Sequence, residues 1–395
     1  MSDYARLSQA LAGRRLPAAF VDLDAFDSNL RALQQRAGVL PVRLVTKSVR
    51  CVALLRRALA AGPALQGLLC YSPAEAAWLS SQGFDDLVVA YPSTEPADLH
   101  AVAAALSEGA RITLMVDSPA QVKAIAAVAS EKAVLMPLAI DLDMSSDFPG
   151  LRFGVYRSPV ATPAAALALA AEIDRWPLLR LDGLMGYEGQ IAGLMDQVPG
   201  QATRNALVRW LKKRSISEIN RRRSATVAAL AAAGHGLRFV NGGGTGSLES
   251  TRADPSVTEL AAGSGLYVPT LFDHYRDFNL QPAAGFALPI TRVPRPGIVT
   301  CAGGGYPASG PAGADRLPQP WLPAGCSLIA NEGAGEVQTP VRHPPSLRLE
   351  LGQPLLFRHA KAGELCERFN ELLLIQGDRV VDVVPTYRGA GRCFS

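Results

Sequence analysis

Eight short apolar runs recur between residues 43 and 267, and Ala/Leu-rich stretches fill most of the gaps between them. The runs are 43–46, 67–71, 87–91, 112–117, 135–143, 181–187, 238–241 and 260–267. Helix-start chemistry stands in front of several of the stretches. Ser72-Pro73-Ala74-Glu75 has a capping serine, a proline for the first turn and a glutamate three residues on; Ser93-Thr94-Glu95-Pro96 and Ser118-Pro119 repeat the theme. Strands that alternate with helices pair in parallel, because each return to the sheet needs a helical crossover. Eight such repeats in about 240 residues predict a (β/α)8 TIM barrel. A doubly wound open sheet is the alternative, but no GxGxxG follows the first strand.

The pattern changes near residue 287. Prolines and glycines crowd into 293–325, and β-type runs follow at 327–330, 347–350, 355–359, 372–376 and 379–384, with Gly377-Asp378 as a hairpin turn between the last two. The expected organisation is a barrel over 20–285 and a smaller, mainly β domain over 286–395, with 1–19 packing on it. Residues 18–23 form a strand surplus to the barrel.

Of the 395 residues, 48% are hydrophobic and 19% charged, which excludes disorder as the main state. No apolar run approaches the roughly 20 residues of a membrane helix. The first 15 residues have no apolar signal core, and six scattered cysteines without a CxxC suit a reducing compartment, so a cytoplasmic location is expected. A net charge of +4 calls for no nucleic acid partner. The basic stretch 203–226, with Arg204, Arg209, Lys212, Lys213, Arg214, Arg221, Arg222 and Arg223 against Glu218, reads as a solvated outer helix face.

Barrel enzymes carry their chemistry at the carboxyl ends of the strands. The first strand ends at Lys47, an amine that low-dielectric walls would hold ready to attack a carbonyl. The seventh ends Asn241-Gly242-Gly243-Gly244-Thr245-Gly246-Ser247, where glycines open the backbone to a ligand and Thr245 and Ser247 add hydroxyls. Loops after strands seven and eight are where barrels hold phosphate, and the eighth ends in a second donor-rich stretch, Gly263-Ser264-Gly265-Leu266-Tyr267. Arg152 follows the fifth strand and Tyr187 the sixth, each as a site residue or a rim contact. A lysine, a phosphate cradle, an arginine and a tyrosine would all be used by pyridoxal 5′-phosphate.

The ordered set of segments resembles the alanine-racemase-like (fold type III) pyridoxal-phosphate enzymes, in the D-threonine aldolase and D-serine dehydratase branch. The segments are 17–29, Val45-Thr46-Lys47-Ser48, Arg152-Phe153-Gly154-Val155, Gly186-Tyr187-Glu188-Gly189, Gly242-Gly243-Gly244-Thr245-Gly246, His359 and Thr386-Tyr387-Arg388-Gly389. The resemblance implies that Lys47 forms the internal aldimine. It implies that Asn241, Gly243, Gly244, Thr245, Gly246, Ser247, Gly263, Ser264 and Tyr267 serve the cofactor, with Arg152 and Tyr187 at its ring. It further implies a D-configured β-hydroxy amino acid as substrate, aldol cleavage or dehydration as reaction, and a homodimer. A racemase of the same fold and a non-enzymatic carrier are the alternatives.

The branch also implies a divalent metal held by a histidine and a second ligand two residues on. His359 matches the first position, but the second is Lys361, whose ammonium cannot ligate a cation; Glu364 and Cys366 lie nearby in sequence. His359 and Lys361 are therefore expected beside Lys47 as catalytic residues, with His359 the one metal-ligand candidate.

Overall fold

Strand β1 (Ala18–Asp22) begins the series but stays outside the barrel. In the computed structural model, which describes residues 2–394, the runs that follow close on themselves. They are β2 (Val42–Val45), β3 (Leu65–Cys70), β4 (Leu87–Val89), β5 (Ile112–Val116) and β6 (Met136–Asp141). A two-stranded ribbon intervenes, β7 (Ser146–Phe148) with β8 (Leu151–Phe153), and the barrel resumes with β9 (Leu179–Gly186), β10 (Phe239–Gly242) and β11 (Glu259–Ala262). The ring order is β10-β11-β2-β3-β4-β5-β6-β9, parallel throughout. Closure removes the open-sheet alternative.

The capping chemistry read from the sequence is in place at Ser72 and Ser118, whereas the helix Pro96–Ser107 is capped by Glu95 and not by Ser93. Ser72 Oγ accepts from Glu75 N at 3.2 Å, and the Glu75 carboxylate accepts from Tyr71 N at 2.6 Å. Inside the barrel, Leu69, Val88, Met115, Met185 and Phe239 form one buried cluster. Gly183 makes room for Phe239, since a Cβ there would lie 2.4 Å from the ring. Arg43, 1% exposed, ties β2 to β11 through Glu259 (2.7 and 2.8 Å) and reaches Asp86 at 3.1 Å.

Three expectations need correction. The eighth run does not continue as strand to Tyr267. β11 ends at Ala262 and Ser264–Tyr267 is a helical turn, closed by Val268 N on Ser264 O (2.9 Å). Residues 347–350 are not a strand: Leu347 N turns back onto Pro344 O, and prolines 344 and 345 supply no ladder donors. The basic stretch is one helix, Ala202–Ala232, but its charges are not all solvated; Arg223 and Lys212 are buried and ion-paired, to Glu188 with Asp254 and to Asp196.

The second body is a nine-stranded sheet. It adds β12 (Ala284–Arg295), β13 (Ile298–Ala302), β14 (Gln319–Leu322), β15 (Ser327–Leu328), β16 (Gln338–Arg342), β17 (Pro354–Arg358), β18 (Glu371–Gln376) and β19 (Arg379–Pro385). β1 is inserted antiparallel to β12 and parallel to β18, so both ends of the chain build this sheet. β18 and β19 make the hairpin across Gly377-Asp378. Leu7, Phe20, Ala287, Leu356, Leu373 and Ile375 form its core. The chain divides into two compact units. The barrel unit holds Leu33–Thr46 and Leu59–Ala262; the sheet unit holds the segment up to Ala32, Lys47–Ala58 and Gly263–Cys393. No helix among the described residues is long and apolar enough to cross a membrane.

Candidate active site

In the barrel unit the loop after β10 is built from the inside. Gly243 takes φ +90°, a conformation that favours glycine, and its N–H donates to Glu188 Oε2 at 2.9 Å. Glu188 is held in turn by Arg223 (3.1 Å) and by Thr251 Oγ1 (2.5 Å), and Arg223 reaches Asp254 at 2.9 Å. Arg223, Glu188 and Asp254 are almost wholly excluded from water. Gly244 N donates to Ser247 Oγ (3.1 Å), Ser247 N to Gly244 O (3.0 Å), and Thr245 O accepts from Arg36 (2.7 Å). The Gly246 N–H has no hydrogen-bond partner among the described residues. A Cβ on Gly244 would lie 2.8 Å from Ala192 Cβ and 3.4 Å from the Tyr187 ring, so only glycine leaves this cradle open. Asn241 points elsewhere: its amide donates to Glu259 (2.8 Å), within the Arg43 network.

Arg152 is committed to Asp143 (2.8 Å), with Asp147 at 3.4 Å. Tyr187 is half-buried, and burial pushes its phenol up. The cation over Tyr187 is Arg157, 4.8 Å from the ring centroid. Nothing local in the sequence marks Arg157, because the rings that hold it, Tyr91 and Tyr187, lie far away in the chain. Asp141, at the end of β6, is buried and pushed up to about 7 by desolvation, with Asp117 and Asp143 adding to the shift and Arg157 opposing it.

The sheet unit gathers another set. Lys47 follows β2 directly, in the 3₁₀ turn Thr46–Ser48. Its carbonyl accepts from Arg50 Nε (3.2 Å), and Gly363 packs on it so closely that a Cβ would lie 1.8 Å from the oxygen. Ser48 Oγ and Ser264 Oγ are 3.1 Å apart, while Gly263 is the hinge from which Ser264 turns. Tyr267 donates to Val49 O (2.9 Å) and sets its ring edge-on to His359, centroids 6.3 Å apart. His359 is 4% exposed, and neither ring nitrogen has a hydrogen-bond partner among the described residues. Burial, with Arg358 beside it, pushes its pKa down to about 3. The structure thus brings Lys47, Ser48, Ser264, Tyr267 and His359 together.

The residues do not fit the two-ligand metal site. Lys361 Nζ donates to Ser309 Oγ (2.9 Å). Glu364 is occupied by the same serine through its N–H (2.9 Å) and hydroxyl (2.6 Å). Cys366 donates to Val49 O (3.3 Å), and burial keeps it a thiol. Among the described residues no group of three His, Cys, Asp or Glu side chains is arranged to hold a metal ion.

Residues 21–268 match the alanine racemase N-terminal domain family. The chain is 26% identical over 254 residues to a D-threonine aldolase of an Arthrobacter species, aligning 63% of this chain with 60% of that protein. It is 25% identical over 266 residues to 3-hydroxy-D-aspartate aldolase of Paracoccus denitrificans, aligning 66% of this chain with 62% of that one. It therefore spans about 60% of the length of these relatives. Among solved structures, D-threonine aldolase from Filomicrobium marinum superposes with a TM-score of 0.80 at 21% identity over 95% of both chains. D-threo-3-hydroxyaspartate dehydratase from Delftia sp. HT23 superposes with a TM-score of 0.76 at 21% identity, covering 95% of this chain and 98% of that one. At those identities the superpositions establish the fold.

Proposed function

The chain belongs to the alanine racemase N-terminal domain family, and from that premise we propose that it is a pyridoxal-phosphate-dependent lyase that cleaves D-configured β-hydroxy amino acids between Cα and Cβ. The aldolase names of its aligned relatives support the reaction class. The residues present fit the cofactor: the Gly246 N–H is unbonded among the described residues, Gly244 leaves open the space a Cβ would fill, and Lys47 stands directly after a barrel strand. In this reading the 243–247 loop with Gly263 and Ser264 holds the phosphate. Arg152 and Tyr187 flank the ring, and Lys47 Nζ makes the covalent attachment. When bound, pyridoxal phosphate supplies a carbonyl for the substrate amine and a ring that draws electron density from Cα. Lys47 Nζ would also be the amine able to hold or deliver a proton at Cα.

The preference for cleavage over dehydration rests on the aldolase names of the aligned relatives. His359 is the residue read as facing the β-hydroxyl: its ring is buried and neutral, and neither nitrogen is hydrogen-bonded to a described residue, so one of them can orient that hydroxyl by accepting its hydrogen bond. No step is assigned to a metal, and the assembly is taken to be a homodimer, which sedimentation tests.

The test is reconstitution with pyridoxal phosphate followed by product analysis on D-threonine and D-threo-3-hydroxyaspartate. The expected result is a yellow protein that releases glycine and an aldehyde, with the colour lost in a folded Lys47→Ala variant. Oxo acid and ammonia as products would replace cleavage by dehydration. The L-enantiomer as product would make it a racemase, and a colourless protein would overturn the reading.

A further inference from the structure

The loop after β8 is fastened to the carboxyl end of β6. Ser158 Oγ donates to Asp141 O (2.5 Å), Val160 N to Ser158 Oγ (3.0 Å) and Asp143 N to Val160 O (2.8 Å). This clamp presents Arg157 to two tyrosines at once, 4.8 Å from the Tyr187 centroid and 5.2 Å from that of Tyr91. Tyr187 directly follows β9 and Tyr91 lies two residues past β4. In the ring order β4-β5-β6-β9 those strands are three places apart out of eight. A side chain that touches both tyrosines reaches over the barrel mouth instead of lying along one edge.

Arg157 is exposed and makes no hydrogen bond or ion pair with any described residue, although it lies near enough to Asp141 for its charge to act on that carboxyl. Arg152, the other arginine of this loop region near the mouth, is already paired with Asp143. Stacking over aromatic faces restrains a guanidinium while leaving the N–H donors on its edge available. A permanently charged, planar donor fork at a barrel mouth matches the geometry of a carboxylate.

We propose that Arg157 is the carboxylate-binding residue of the substrate site, receiving a carboxylate of the amino acid in a forked, charge-assisted hydrogen bond. This rests on the lyase reading above. An amino acid offers its α-carboxylate, and a 3-hydroxyaspartate-type substrate offers a β-carboxylate as well; the chemistry recognised is the same.

The test uses the cofactor-loaded enzyme, wild type and the variants Arg157→Met and Arg157→Lys, with D-threonine and D-threo-3-hydroxyaspartate. A lost charge-assisted bond predicts a KM higher by on the order of 10- to 100-fold in Arg157→Met. Turnover number and the absorption maximum of the bound cofactor should change little, and Arg157→Lys should recover part of the loss. A loss for both substrates identifies the α-carboxylate as the ligand; a loss for 3-hydroxyaspartate alone identifies the β-carboxylate. An unchanged KM, or a changed cofactor spectrum in place of a changed KM, overturns the proposal. Calorimetric titration with D-malate, which has no amine to react, separates this failure from that of the lyase reading. If wild type turns over neither amino acid, the lyase reading fails, and malate binding that is lost in Arg157→Met still supports a carboxylate site. Equal malate binding by both proteins, or by neither, overturns it.

Discussion

Arg223→Met is expected to destabilise the barrel unit and loosen the 243–247 loop together. The guanidinium is fully buried and makes three directed contacts, to Asp254 (2.9 Å), Glu188 (3.1 Å) and Gly186 O (3.1 Å). Methionine fills much of the volume but removes the positive charge from between two carboxylates that are themselves excluded from water. Breaking a buried ion pair from one side costs roughly 3–5 kcal/mol, because the remaining charge is left uncompensated. That is a large part of the roughly 5–15 kcal/mol that holds a domain together. Glu188→Gln keeps the shape and loses one charge, and should cost about 1.5–3 kcal/mol, the worth of a charge-assisted bond. In the double variant the two losses should sum to less than their total, since the second change removes one of the carboxylates the first exposed. Equilibrium urea unfolding measures all three. Because Glu188 also accepts the Gly243 N–H, cofactor retention on gel filtration should fall in parallel. A loss under about 1 kcal/mol in Arg223→Met, with an unchanged denaturant slope, would refute the claim that this ion network supports the loop.

Gly363→Ala should leave the sheet folded but weaken cofactor retention, because its Cβ would fall 1.8 Å from the Lys47 carbonyl at a φ of +76°; a wild-type absorption spectrum after gel filtration would contradict the contact. His359 is depressed to about 3 in the fold, against an ordinary value near 6.5, so between those limits the unfolded chain binds the extra proton and stability falls as pH falls. The loss from this residue is about 2 kcal/mol by pH 5, and His359→Gln should remove that share of the slope of unfolding free energy between pH 6.5 and 5. Asp141, raised to about 7, works in the opposite sense: the fold holds its proton where the unfolded chain does not, so its contribution is lost as pH rises from about 4 towards 7, and Asp141→Asn should flatten that trend. Cleavage activity should survive dialysis against a strong chelator, with substoichiometric divalent metal by elemental analysis. Lys361→Asp should gain metal binding beside His359; stoichiometric metal in the wild type, lost together with activity, would refute this.

The barrel is legible in the sequence because its signals are local. Strand periodicity and the Ser72-to-Glu75 cap depend on residues a few positions apart, and eight repeats leave few ways to close a sheet. The errors fell where local preference met tertiary demand. Run 260–267 was apolar enough for a strand, yet Gly263 and Ser264 turn the chain into a helical turn. The β domain was recognised from its composition, but β12 was missed, since Pro289 and Pro294 within it break the usual strand pattern.

For the site, the sequence alone determined which residues end the barrel strands: Lys47, the glycines after β10 and Tyr187 all follow from counting repeats. It also put a lysine, Lys361, which cannot ligate a cation, two residues after His359. Only the tertiary structure decided what surrounds them. Glu188 and Arg223 meet under Gly243 across 35 and 55 residues of chain. Arg157 lies over tyrosines contributed by strands three places apart in the barrel, and His359 owes its lowered pKa to the groups packed around it. Periodicity is written in neighbouring side chains, whereas burial and electrostatic environment are set by groups distant in sequence that meet only once the chain has folded.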